Sequence, residues 1–260
     1  MMEKLYKDFK QNMFAIHQLT ERDKKHENAQ TFLGELWEIL NPLIMTVVMV
    51  LVFGKMFDSD SIKNYPLFVL TGVTLYNLFN QGTTACLGAL VGNKVLLTKT
   101  RLNRNIYVEQ KIIYAIRNFV FSLFIYFIYV LMIHQYPSKK WLLVIVDLVF
   151  LITLTIGVGK ILAVMNVFFA DIVYFYRVFT VFLFYGSAIF FDSERLASSI
   201  KGIFIINPIY DVVYIAREII LNNGVVAINY WIVLFVYASG FFIAGDIVYK
   251  RYSDEVVANL

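Results

Sequence analysis

The chain has 260 residues, of which 59% are apolar and only 16% charged, with a formal net charge of +4. Soluble domains average roughly 45–50% apolar and about 25% charged residues, so a water-soluble globule of this length is excluded. The modest positive charge, with no concentrated basic face, argues against nucleic acid as a partner and fits attraction to anionic lipid, while the lone Cys86 excludes an internal disulfide framework and reads as a small packing residue.

The opening residues lack the staged pattern of a cleavable signal peptide, so membrane insertion is expected to rest on internal spans. Leu5, Phe9, Met13, Ile16 and Leu19 recur at three- and four-residue steps between lysines and glutamines. That spacing predicts an amphipathic helix, too polar to cross a bilayer, lying along the inner membrane surface or against a protein partner.

Six segments then approach the roughly 20 apolar residues of a spanning helix. They run over 36–57, within 64–93, over 112–133 with Arg117, over 141–167 with Asp147 and Lys160, over 172–191 with Arg177, and within the uncharged block 219–245. Between the last two lies segment 192–221, whose apolar run Gly202–Tyr210 is too short to cross and is broken by Pro208. A pair of short outer-face helices is expected there. With the amino terminus inside, the inner basic set is Lys4, Lys7, Lys10, Arg22, Lys24, Lys25, Lys94, Lys99, Arg101, Arg104, Lys111, Lys250 and Arg251. The outer set is Lys55, Lys63, Lys139, Lys140, Arg195, Lys201 and Arg217. Thirteen against seven predicts both termini in the cytoplasm, and six spans agree, since an even number returns the chain to its starting side.

The expected fold is therefore all-α: a polytopic membrane protein with six transmembrane helices, an N-terminal amphipathic interface helix and short outer-face helices between spans five and six. Its expected divisions are an interface segment at 1–35, a transmembrane domain at 36–250 and a cytoplasmic tail at 251–260.

Residues 19–43, LTERDKKHENAQTFLGELWEILNPL, carry a more specific signal in Arg22-Asp23, Leu33-Gly34, Trp37 and Asn41-Pro42-Leu43. This string resembles the signature of type-2 ABC permeases that export teichoic acids, O-antigens and other surface polysaccharides. The second span with its following loop, the turn FFADIVYFYRVF, the segment INPIYDVVYIARE with Asn207-Pro208 and Arg217, and the charged tail are similar to the same family. Departures fall at Ala170-Asp171, Leu102-Asn103-Arg104 and Ser187-Ala188-Ile189, where the family usually has Arg-Asp, Phe-Pro-Arg and Ser-Pro-Ile; they leave the polymer undetermined.

The resemblance implies a homodimer that binds two copies of a separate ATP-binding subunit and extrudes a polyprenyl-diphosphate-linked polysaccharide or teichoic acid through the bacterial cytoplasmic membrane. No P-loop is present; Gly157-Val158-Gly159-Lys160 lacks its spacing and reads as a helix-packing site, so ATP and Mg are expected on the partner and no cofactor or metal in this chain. The loop 92–106 is the expected ATPase-coupling handle, with Leu97 and Leu102 beside Lys99, Arg101 and Arg104. Its alternative is a solvated loop obeying the positive-inside rule.

Arg22, Lys24, Lys25 and Trp37 cluster where a phosphate-bearing lipid head would arrive, and the family pattern places a gate at Leu33-Gly34. The same bases would also attract ordinary anionic phospholipid. Sugar rings stack on aromatic planes, so Tyr76, Asn77, Phe79, Phe184, Tyr185 and Phe190 are candidates for the translocation path, although aromatics in spans also face lipid or neighbours. Lys160 and Arg177 are expected to snorkel toward the cytoplasmic surface. Arg117 either faces the lumen or pairs with an acid. Competing readings are a type-2 exporter of drugs or small lipids and a membrane enzyme acting on lipid-linked sugars. The enzyme would need converging acids or histidines; Asp192, Glu194, Asp211 and Glu218 form the one outer acidic cluster, and His17, His26 and His134 have no metal spacing.

Overall fold

A computed structural model describes residues 2–28, 32–34, 36–54, 62, 64–99, 102–193, 204 and 206–259. These residues contain ten α-helices and no strand: α1 (Met2–Asn28), α2 (Leu36–Phe53), α3 (Tyr65–Leu87), α4 (Lys94–Lys99), α5 (Asn105–Met132), α6 (Leu142–Phe168), α7 (Ile172–Tyr185), α8 (Pro208–Ile220), α9 (Ile228–Arg251) and α10 (Ser253–Asn259). Single 3-10 turns at Val91–Asn93 and Lys139–Trp141 lead into α4 and α6.

Local chemistry sets the boundaries. Pro66 stands in the first turn of α3, where a missing N–H breaks no helical bond. Pro208 does the same for α8, and the Asn207 side chain caps that helix by accepting from the Ile209 amide at 3.0 Å. Pro42 sits inside α2, and the Thr46 hydroxyl donates to its carbonyl at 2.7 Å.

The centre of the bundle is α3. Leu67, Leu70, Val73, Leu75 and Leu78 pack against Ala115, Phe119 and Tyr126 of α5, Leu151 and Leu154 of α6, and Val213 and Ile215 of α8. A second cluster closes one end, called basal below, where Ile16 and Leu19 of α1, Leu97 of α4, Ile106 and Ile112 of α5, Tyr249 of α9 and Val256 of α10 meet around buried Cys86. The outward faces are apolar instead of polar: Leu51 is 74% exposed, Phe124 67% and Phe182 71%. Lipid tails, unlike water, leave such faces unpenalised.

Three helices among the described residues are long and apolar enough to cross a membrane, namely α5, α6 with its leading turn, and α9. Shorter apolar stretches occupy Leu40–Phe53 and α7. At 23 residues, or about 35 Å at 1.5 Å per residue, α3 is long enough to span. It carries Asn77, Asn80 and Gln81, tolerated because neighbouring helices, not lipid, cover most of it.

One expectation holds and one changes. The outer segment expected to end near 221 closes with α8 at Ile220, a turn through Asn222, Asn223 (φ 49°) and Gly224 follows, and α9, beginning at Ile228, lies within the uncharged block expected to hold the sixth span and runs on to Arg251. The expected fifth span stops at Tyr185 instead of reaching Phe191, because Gly186 ends α7 and Ala188 adopts φ 49°. Of the expected pair of outer-face helices, α8 is the one among the described residues, and 194–203 lie outside them.

Candidate functional site

At the basal end, α1 runs along α5 and is fastened by charge. The Asp23 carboxylate accepts from Lys111 Nζ at 2.6 Å, from the Gln110 amide and from Arg22 at 2.7 Å, and Glu21 pairs with Arg117 at 3.0 Å. Burial alone would raise the Asp23 pKa, but the hydrogen bonds from Lys111 and Arg22 outweigh it and hold the carboxyl below its ordinary value. Arg117, which the sequence left open between lumen and acid, thus has an acid partner and also lies over the Tyr114 ring.

Arg22 reaches further. Its guanidinium donates to Asn93 Oδ1 at 2.9 Å, and Asn93 Nδ2 donates to the Ala89 carbonyl, so α1 is tied to the turn immediately before α4. The expected gate cluster and the expected coupling segment therefore meet at one hydrogen bond. Lys24 is half-buried and Lys25 exposed. Leu33 and Gly34 form a turn, with Gly34 at φ 50° and its carbonyl accepting from the Trp37 amide, and Trp37 is exposed.

The coupling candidates divide. Leu97 is buried in the basal cluster, Lys99 and Val95 on the same helix are exposed, and Leu102 is half-buried. Arg104 pairs with Asp254 of the tail helix at 2.8 Å, and its carbonyl accepts from the Tyr249 hydroxyl. Arg101 lies outside the described residues. What α4 offers to a partner is a short helix seated on its one buried leucine, with Lys94, Val95, Thr98 and Lys99 outward.

The aromatic candidates also divide. Tyr76 and Phe79 are buried, and the Tyr76 hydroxyl donates to the Thr180 carbonyl of α7 while its ring meets Phe184 edge-on. Phe190 is buried in contact with Phe184 and Tyr185. Asn77 and Phe184 are half-buried, and Tyr185 is half-exposed. The open aromatic face belongs to α7, where Tyr174, Phe175, Phe179 and Phe182 line a shallow groove of about 630 Å³.

Three arrangements escaped the sequence reading. Lys160 does not snorkel: it is buried and donates to Asp246 of α9 at 3.0 Å, and Asp246 also accepts from Lys250. Arg217 is buried and donates to the carbonyls of Phe68 (3.0 Å), Ala188 (2.8 Å) and Ile189, with its guanidinium 3.4 Å from the centre of the Phe68 ring. Beside it, Asn207 donates to the Gly186 carbonyl at 2.9 Å. Together they clip α8 to the unwound end of α7. Asp147 of α6 and Asp211 of α8 are fully buried, with no hydrogen-bond partner among the described residues. Only the Asn-Pro and arginine of α8 had a signal in the sequence, through the family resemblance.

An all-helical bundle with apolar outward faces, whose charged side chains are held in the interior or gathered at the ends, is an integral membrane protein. The ABC-2 type transporter family matches residues 15–221, and the chain belongs to that family, whose members are membrane subunits of transporters. Among its relatives, an O-antigen export system permease protein of Klebsiella pneumoniae is 25% identical over 224 residues, covering 86% of this chain and 85% of that protein. A second Klebsiella pneumoniae protein of the same description is 24% identical over 227 residues. One from Myxococcus xanthus is 30% identical over 173 residues, covering 66% of this chain and 65% of its own.

Proposed function

We propose that the chain is the membrane-spanning permease of an exporter that carries a lipid-linked polysaccharide or teichoic acid across the bacterial cytoplasmic membrane. The observation that carries this reading is the likeness to O-antigen export permeases over 86% of the chain. In this reading the permease is a homodimer, and two copies of a separate ATP-binding subunit supply MgATP hydrolysis.

The six spans are α2, α3, α5, α6, α7 and α9, both termini are cytoplasmic, and the basal end faces the ATPase. The inner and outer basic residues support that orientation: Arg22, Arg104 and Lys111 are basal, whereas Lys140 bonds the Asn223 carbonyl at the other end. The segment 1–35 lies at the membrane interface, 36–250 forms the transmembrane domain with 192–221 at its outer face, and 251–260 is the tail. Residues of α4 dock on the ATPase, and the exposed aromatic face of α7 borders the path between two copies. Tyr76, Phe79 and Phe190 support that face from behind.

The test is deletion of the gene in its host, followed by scoring of surface glycan and of lipid-linked glycan retained inside. Loss of surface polymer with internal accumulation is expected. Unchanged surface glycan would move the assignment to an exporter of drugs or small lipids.

A further inference from the structure

A cavity of about 420 Å³ lies toward the end opposite the basal one, where α3, α5, α6 and α8 meet. Helix direction orders its lining. Since α5 runs away from the basal end and α6 returns toward it, Phe127 and Trp141, whose ring centres lie 6.3 Å apart, stand at the mouth. Phe119 and Leu148 stand at the floor, about 12 Å deeper at 1.5 Å per residue along α5. Leu75 of α3 and Ala216 and Ile220 of α8 close the back, while Leu142, Ile145 and Phe127 on the outward side are exposed. Both α5 and α6 are apolar enough to cross a membrane, so the cavity opens sideways between two spans, to lipid instead of water.

The lining is not wholly hydrocarbon. The Thr71 and Tyr126 hydroxyls bond each other at 2.8 Å, and Thr71 donates to the Leu67 carbonyl, so this pair is satisfied within the wall. Thr74, about one turn further in, is only 4% exposed and lines the same cavity. Its Oγ1 has no hydrogen-bond partner among the described residues. A hydroxyl buried that way is costly and calls for a polar atom in the occupant. The mouth is basic: the turn Lys139–Trp141 carries exposed Lys139 and also Lys140, which donates to the Asn223 carbonyl at 2.6 Å. Tryptophan, here Trp141, favours the level of lipid headgroups.

The geometry points to a site for one anionic phospholipid. The order of groups along such a molecule matches the order along the cavity. Its phosphate meets Lys139, an ester carbonyl accepts from the Thr74 hydroxyl, and one acyl chain runs past Leu123 to Phe119 and Leu148. A bare hydrocarbon would leave Thr74 unsatisfied, and a zwitterionic head would forgo most of the attraction to the lysines. The volume lies within the roughly 300–1,000 Å³ of small-molecule sites. Because Ala216 and Ile220 form part of the wall, the bound lipid also packs α8 against α3. Assignment to the outer leaflet rests on the orientation proposed above; the site itself does not.

The test is native mass spectrometry of the full chain, purified in mild detergent, stripped of lipid and titrated with phosphatidylglycerol or phosphatidylethanolamine of matched chains. One phosphatidylglycerol per chain is expected, bound about fivefold more tightly than phosphatidylethanolamine. Lys139→Glu should remove that preference, and Thr74→Val should weaken binding of both lipids. Ile145→Trp, at an exposed position in the mouth, should block entry, whereas Phe124→Trp, on the lipid-facing side of α5 outside the lining, should match wild type. Phosphatidylglycerol with a diazirine near its chain end should label 119–127 and 141–148, and Ile145→Trp should erase the label. Equal affinity for the two lipids, binding indifferent to Thr74→Val, or a label indifferent to Ile145→Trp would overturn the site, as would capture of a polyprenyl phosphate in its place. Orientation is tested apart from binding, by an impermeant thiol reagent on Ser138→Cys in a Cys86→Ser background. Labelling in intact cells is expected; labelling only in inverted vesicles would overturn the outer-leaflet assignment together with the orientation, and leave the site standing.

Discussion

Arg217 shows what a buried cation does here. It forms no ion pair with the acids of its own helix; it donates to the Ala188 and Ile189 carbonyls of the irregular stretch after α7 and, as an added acceptor contact, to the Phe68 carbonyl in the first turn of α3. Lysine has a single ammonium and cannot span them, so Arg217→Lys strands at least one buried carbonyl at a cost of about 1–3 kcal/mol. The purified protein is expected to melt at lower temperature, and equal melting of the two forms would show that the clamp contributes nothing. Asp23 gives a pH test of opposite character. Its carboxyl is held below the ordinary value in the folded protein, so its contribution to fastening α1 is complete at and above the usual carboxylate range. That contribution is lost as pH falls through the depressed pKa. Proteolytic release of α1 should stay flat from neutral pH to about 5 and rise only in stronger acid, whereas Asp23→Asn should release it at every pH.

Between elements, α6 and α9 approach each other backbone to backbone. A Cβ on Gly157 would strike the backbone of Phe241 and Phe242, and one on Gly245 the backbone of Gly157 itself. Gly157→Val and Gly245→Val should each push the helices apart and lower thermal stability in detergent by several degrees. Gly240→Ala on the same helix meets nothing within 4 Å and should be neutral or slightly stabilising. This contact was legible, because small residues in a spanning segment have few uses besides packing. The amphipathic helix was legible as well, from its 3.6-residue period. The break between α8 and α9 falls where the outer segment was expected to end, near 221, and Asn222-Asn223-Gly224 is a turn signal in its own right. Lys160 and Asp246 stand 86 residues apart, and no local pattern announces such a pair. Tyr76 was assigned from its residue type alone; the direction of its side chain depends on α7, which bends its hydroxyl inward to the Thr180 carbonyl.

At the scale of the whole molecule, the basal end joins three segments far apart in the chain. Turn Val91–Asn93 and α4 stand between α1, through Arg22 and Asn93, and the tail, through the cluster that holds Leu97 and Val256. The Arg104–Asp254 pair is exposed on its acidic side and adds at most about 1 kcal/mol, so the tail is held mainly by packing. The Arg22–Asn93 bond is different, since it is the one side-chain hydrogen bond between α1 and that turn among the described residues. If α4 receives the ATPase stroke, this bond passes it to the gate cluster. Arg22→Ala and Asn93→Ala should each leave assembly with the ATPase intact while lowering polymer exported per ATP hydrolysed. The double variant should be no worse than the more damaging single one, because either change removes the same link. Additive losses would mean that Arg22 and Asn93 act separately, Arg22 through Asp23 and Asn93 through Ala89, and the path from α4 to the gate would then have to run through the packed basal cluster instead.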